Sequence, residues 1–192
     1  MWPMRFIVFE GCEGAGKSTL IEALAKILPN ALKTREPGGS PVSEQLRAIL
    51  IEQHLSPITE LFLMQAARAE HMAHTILPAL AAGRIVLCDR FTESTIAYQG
   101  HARGIDLELI TLTNRAASEN RSPDLTIYLA IDPAQGLARA RNPNRFEQEG
   151  ILFAKKVHDG YMHAHACADH PWLILDGTAP IEINQKRVLD LL

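Results

Sequence analysis

The chain has 192 residues, 47% of them apolar and 21% charged, with a formal net charge of −3. This is ordinary globular usage for one domain, which excludes a disordered, collagen-like or disulfide-scaffold chain and is long enough to bury roughly 70% of its unfolded surface. The mild negative charge leaves no general electrostatic reason to expect binding to nucleic acid or anionic membranes, whose partners usually carry a basic face. No run approaches the ~20 apolar residues that span a bilayer, and Met1 to Phe6 lacks the apolar core of a secretory signal, so a cytoplasmic location is expected. Three distant cysteines, Cys12, Cys88 and Cys167, are read as thiols in a reducing compartment.

Arg5 to Glu10 is a short apolar, β-branched and aromatic run stopped by Gly11, which predicts a buried strand. Apolar residues at helical spacing over Leu20 to Leu28 follow, closed by Pro29. A brief strand near Leu32 to Thr34 leads into the forced turn Glu36-Pro37-Gly38-Gly39, and Val42 to Ile51 resumes a helix. Thr59 to Leu80 predicts a long helix, kinked or ended at Pro78. Ile85 to Cys88 and Leu125 to Ile131 read as central strands. Asp106 is the expected N-cap of a helix to about Asn120, and Pro133 the expected first-turn residue of a helix to about Arg141. After Asn142-Pro143-Asn144, one helix is expected from about Phe146 to Ala168, then a strand at Trp172 to Leu175 and a terminal helix from Ile181. Five strands alternating with helices imply an α/β fold, a mostly parallel sheet covered on both faces, with ligands at the carboxyl ends of the strands. A single domain over 1–192 is expected.

Gly11-Cys12-Glu13-Gly14-Ala15-Gly16-Lys17-Ser18, followed by Thr19, satisfies G-x-x-x-x-G-K-[ST] between a strand and a helix, which is where a phosphate-binding loop belongs. The glycines let backbone N–H groups turn toward phosphate oxygens, the helix N-terminus adds positive potential, Lys17 reaches the β/γ-phosphates and Ser18 can ligate Mg²⁺. ATP or GTP binding follows. The loop is shared by switch GTPases, motors and small-molecule kinases, but no Asn-Lys-x-Asp stretch of a GTPase is present. Arg35 and Arg90 each follow a predicted strand on the same sheet edge, and two arginines there suit the phosphate of an acceptor. Such an acceptor is already ionised near neutral pH, so alignment and charge neutralisation matter more than a general base. Arg139, Arg141 and Arg145 flank the polar interruption, where a loop could bring guanidinium groups over the transferring phosphoryl.

Phe9-Glu10-Gly11 through the phosphate loop, TREPGG at 34–39, DRF at 89–91 and S-T-I-A-Y-Q-G at 94–100 together resemble the thymidylate kinases, in order and spacing over nearly the whole chain. That resemblance implies a P-loop nucleoside-monophosphate-kinase fold with a five-stranded parallel sheet, Mg-ATP as donor and dTMP as acceptor. It implies that Arg35 and Arg90 hold the acceptor phosphate, Glu13 the deoxyribose 3′-OH and Arg68 the thymine edge. It also implies that Ser94, Thr95 and Gln99 line the base pocket beside Pro37 and Met64, that Tyr98 crowds the place of a ribose 2′-OH, and that Asp89 acts near Mg²⁺. Gly14 stands where some members carry a catalytic Arg, so Arg141 and Arg145, in a short lid segment at about 141–147, are the expected lid arginines. Met64 stands where members usually carry a Phe that stacks on thymine, with Phe62 two residues earlier. The resemblance further implies a homodimer through helices of the Thr59 to Leu80 region. His158, His163, His165, Cys167 and His170 crowd one late segment, whose spacing fits no standard zinc pattern and reads as an exposed histidine-rich helix.

Overall fold

A computed structural model describes residues 4–139 and 145–192. Five strands, β1 (Phe6–Glu10), β2 (Ala31–Arg35), β3 (Ile85–Asp89), β4 (Leu125–Ala130) and β5 (Trp172–Asp176), form one sheet in the order β2-β3-β1-β4-β5, and every pairing is parallel. Successive side chains of a strand face opposite ways, and β1 shows the consequence. Ile7 and Phe9 enter one core with Leu20, Leu24, Ile127, Tyr161 and Val188, whereas Phe6 and Val8 enter another with Met72, Ile76, Val86 and Phe91. Helices α1 (Lys17–Ala25), α8 (Ile151–Ala166) and α9 (Ile181–Leu189) cover the first face. The long helical run described next covers the second. The predicted α/β architecture and its five parallel strands are therefore present.

Several helices start where the sequence offers a partner for their free amides. Ser40 caps α2 (Pro41–Glu52) and Ser56 caps α3 (Pro57–His71), each followed by Pro in the first turn. Asp106 accepts from the amides of Glu108 and Leu109 at the start of α6 (Leu107–Ala117). The expected long helix persists past Pro78, through a π-helical stretch over Met72–Ile76 into α4 (Leu77–Ala81). A proline ring strikes the carbonyl four residues back in an α-helix, and the wider π turn lies where that carbonyl would be.

One segment carried no expectation from the sequence and another differs from it. The S-T-I-A-Y-Q-G segment passes from the short α5 (Thr92–Thr95) into a second π-helix, Ile96–Ala102, which packs closely on α8, where a Cβ on Gly160 would lie 2.6 Å from the Ala97 Cα. The single helix expected from Phe146 is instead a 3₁₀ turn, Glu147–Glu149, then Gly150 at φ 85°, then α8. A residue in the left-handed region cannot continue a right-handed helix. Helix α7 spans Pro133–Arg139; its expected continuation to Arg141 lies outside the described residues.

Candidate active site

The phosphate loop joins β1 to α1 at the carboxyl edge of the sheet. Gly11, Gly14 and Gly16 hold φ of 138°, 75° and 94°, and at Gly14 a Cβ would also lie 2.3 Å from the Gly136 carbonyl. Helix α1 has no side-chain cap and no acidic residue in its first turn, so its free amides and positive end remain available to an anion. The Lys17 ammonium is buried and donates to the carbonyls of Gly11 (3.0 Å) and Cys12 (3.1 Å). Burial and the neighbouring Arg90 lower its pKa. Burial pushes the Cys12 thiol up, as expected of a packed side chain rather than a reactive one.

Strand register brings the second loop alongside. Phe9 pairs with Asp89 and Asp89 with Arg35, so the ends of β1, β3 and β2 lie in a row. Ser18 Oγ donates to Asp89 Oδ2 at 3.2 Å, while Asp89 Oδ1 is buried without a hydrogen-bond partner. A hydroxyl beside a carboxylate with one unpartnered oxygen is a hard-oxygen donor set, and it fits Mg²⁺.

Arg90 adopts φ 73°, an uncommon conformation for a side-chain-bearing residue that concentrates at functional sites. Its Nη1 donates to Tyr161 OH (2.9 Å) and Ser94 Oγ (3.3 Å), its guanidinium lies 5.1 Å over the Tyr98 ring, and Nη2 is 3.6 Å from Glu13. Beneath it sits Glu10, fully buried, which accepts from the amides of Phe91 (2.8 Å) and Ser94 (3.2 Å), from Ser94 Oγ (2.6 Å) and from Tyr161 OH (2.9 Å). The carboxylate therefore fixes both groups that hold Arg90. Burial pushes Glu10 up to about 7, Glu93 adds to the shift and Arg90 opposes it.

Because the folded pKa is raised, the contribution of Glu10 to stability is complete below about 4.5 and is lost as pH rises through about 7. Denaturant titrations at about pH 5 and 8 should shift the stability difference between wild type and Glu10→Gln against the wild type by on the order of 2 kcal/mol at the higher pH. A difference independent of pH would refute this.

Two cavities meet at these residues. The phosphate cavity is lined by Glu13, Gly14, Gly16, Lys17, Ser18 and Thr19 together with Arg35, Asp89 and Arg90. The second, a cleft, is lined by Pro37, Met64, Arg68, Ser94, Thr95, Tyr98 and Gln99. They share Glu13, Glu36, Arg47 and Arg90. Most of the sequence candidates line one cavity or the other, with qualifications. Arg35 lines the phosphate cavity but not the second one, and its half-exposed guanidinium pairs with Glu44 at 2.8 Å. The five N–H groups of Arg68 all meet protein acceptors: Glu36, Gln65, Asn114, the Phe91 carbonyl and Thr95. Gln99 lines the cleft while donating to the buried Glu60 at 2.7 Å. Arg145 donates to the Leu50 carbonyl and to Glu60, and Arg141 lies outside the described residues.

Sequence reasoning missed Arg47, Glu36, Phe146 and the Glu10–Tyr161 pair. Arg47 donates to the Pro37 carbonyl (2.8 Å) from within α2, where nothing local distinguishes it from a solvated helix arginine. Burial would raise Glu36, but Arg68 and His71 outweigh it and hold its carboxyl below the ordinary range. The late histidines take separate partners: His158 meets Tyr128, His170 meets Thr126 and Glu93, and His163 meets Cys167. Among the described residues no three metal-ligating side chains converge.

Comparison with known proteins agrees with this geometry. The family model described as "Thymidylate kinase" matches residues 9–188. A thymidylate kinase of Geobacter sulfurreducens is 44% identical, covering 97% of this chain and 95% of its own, and one of Halalkalibacterium halodurans is 45% identical over 81% and 80%. The crystal structure of thymidylate kinase from Ehrlichia chaffeensis superposes with a TM-score of 0.81 at 31% identity, covering 97% of both chains. A phosphate loop opening onto an arginine-bearing second cleft, within a sequence that matches along nearly its full length, shows that the chain belongs to the thymidylate kinase family of nucleoside monophosphate kinases, which phosphorylate dTMP with ATP.

Proposed function

We propose that the phosphate loop holds the ATP phosphates and the second cleft holds dTMP, with the γ-phosphoryl passing between them where the cavities share Glu13, Arg47 and Arg90. That shared boundary carries the reading, because a direct transfer requires donor and acceptor phosphates to face each other within one enclosure. The amides from Gly11 to Thr19 cradle the donor, and Lys17 exchanges its carbonyl partners for phosphate oxygens. Ser18 and Asp89 would hold Mg²⁺, which when bound supplies charge neutralisation at the phosphates. Arg90 and Arg47, with Arg35 at the rim, hold the acceptor phosphate and stabilise charge on the transferring group. Glu13 faces the junction, as an acceptor for the sugar hydroxyl should. Pro37, Met64, Arg68, Ser94, Thr95, Tyr98 and Gln99 enclose the base and sugar.

Among the described residues no helix is long and apolar enough to cross a membrane. A cytoplasmic homodimer is part of the same proposal, supported by Ile58 and Phe62, one turn apart on α3, and Leu112 on the adjacent α6, all exposed. Apolar residues grouped on neighbouring helices favour a self-complementary contact.

The decisive experiment follows ADP formation from Mg-ATP with dTMP, dUMP, ribo-TMP, dCMP and dGMP as acceptors, with sedimentation velocity on the same preparation. Preferred turnover of dTMP by a species of twice the protomer mass is expected. Equal rates with every acceptor would remove the thymidine assignment, and a monomer would remove the dimer.

A further inference from the structure

Phe146 belongs to none of the sequence motifs, yet it lines the acceptor cleft together with Met64, Leu50 and Ile51. Its ring meets Tyr98, another residue of that cleft, edge-on with centroids 5.8 Å apart and planes at 89°. A nucleobase is recognised in large part by an aromatic face against which it stacks. Met64 offers a polarizable but flexible surface instead. Phe91, Tyr98 and Phe146 are the aromatic rings among the residues that line the cleft; Phe91 is fully buried with the Arg68 guanidinium 5.1 Å over its ring, which leaves Tyr98 and Phe146 as the rings to enclose a base.

The residue before it is anchored twice. Arg145 Nε donates to the carbonyl of Leu50 at 2.5 Å, in the last turn of α2, where helix carbonyls lack intrahelical partners and favour a cation. Arg145 Nη2 donates to Glu60 Oε2 at 2.7 Å. Glu60 is buried in the first turn of α3, where the helix N-terminus favours a carboxylate. It also accepts from Gln99 of the cleft at 2.7 Å and faces Arg103 at 3.5 Å. The Arg145 guanidinium lies 4.2 Å over the Phe146 ring. Arg145 does not line the phosphate cavity: its anchors are on the acceptor side.

We propose that Phe146 is a specificity-determining residue that supplies an aromatic wall of the base pocket, and that Arg145, through Glu60 and the Leu50 carbonyl, is the positioning residue that seats it. The inference rests on reading this cleft as the dTMP pocket. It gives Arg145 a different task from the phosphoryl-contacting one implied by its place in the sequence.

Steady-state kinetics with both substrates varied separate the possibilities. In Phe146→Ala the KM for dTMP should rise about 10–100-fold, the range of a lost base–aromatic contact, while the KM for ATP and kcat at saturating dTMP stay within about threefold. Phe146→Tyr should restore the KM to within a few-fold. Arg145→Ala should raise the dTMP KM in the same way, with kcat retained. An unchanged dTMP KM in Phe146→Ala overturns the wall, and an Arg145→Ala enzyme with lower kcat and unchanged KM overturns the seat and returns Arg145 to the transferring phosphoryl. If the wild type turns over a monophosphate other than dTMP, the acceptor reading fails by itself, and the same KM comparison on that monophosphate decides the wall.

Discussion

Replacing Lys17 by Ala is expected to lower kcat for dTMP phosphorylation by roughly 10²–10³-fold, the loss typical when one preorganised charge-stabilising donor is removed, while moving the thermal midpoint by only a few degrees. The two halves of this result have different causes. Lys17 is buried beside Arg90, which together with burial lowers its pKa; an ammonium held there is costly to the fold, and removing it relieves like-charge repulsion. Against that gain stands the loss of its bonds to the Gly11 and Cys12 carbonyls, worth about 1.5–3 kcal/mol each at most for charged donors. With a shift of about 2–4 °C per kcal/mol for a chain of this size, the opposite signs of the two effects predict a net change smaller than the lost bonds alone would give. Function has no such compensation, since among the described residues no other lysine lines the phosphate cavity. Single-turnover measurements with saturating ATP and dTMP, beside a thermal melt, test both halves. Near wild-type turnover would remove Lys17 from the chemistry, and a collapse of the melting transition would show that it supports the loop rather than the reaction.

The same contrast between local and distributed causes explains what was legible in the sequence. Phe6 to Glu10 is readable as a strand because both of its faces are buried, which selects an unbroken apolar run, and the phosphate loop is readable because its glycines, lysine and serine act within eight consecutive residues. Arg90 and Asp89 are readable because they end a strand on the ligand-bearing edge. Nothing local signals the π-helices. The one at Met72–Ile76 precedes a proline whose effect could equally have been a break, and the one at Ile96–Ala102 is stabilised by close packing on Gly160, sixty residues away. Arg47, Glu10 and Phe146 fail for a related reason. Each looks ordinary along the chain, as a helix arginine, the last residue of a strand and a loop aromatic; Arg47 and Phe146 reach the cleft only through the placement of α2 and of the segment before α8, and Glu10 meets Tyr161 only through the docking of α8. Arg145 is the opposite case, since its sequence neighbourhood points to phosphate whereas its partners are Leu50 and Glu60.

Arg90 carries the second large effect, and two substitutions separate its charge from its shape. Arg90→Ala should lower kcat by about 10³-fold or more, because the group lies on the boundary shared by both cavities and its charge acts where water is displaced. It should also lower the thermal midpoint by roughly 5–10 °C, since a loss of a few kcal/mol is typical when a buried charge loses its partner, and here Glu10 and Asp89 lose the cation that lies among them. Arg90→Lys restores the charge but not the fork. One ammonium cannot both reproduce the bonds to Tyr161 and Ser94 and the stacking over Tyr98 and present a planar pair of donors to a phosphate. The Lys variant should therefore regain most of the stability while kcat stays about 10²-fold below wild type. Thermal melts and steady-state kinetics on the three proteins decide the matter: if Lys recovers activity as fully as stability, Arg90 acts as a point charge, and the Glu10–Ser94–Tyr161 network that orients its guanidinium serves the fold alone.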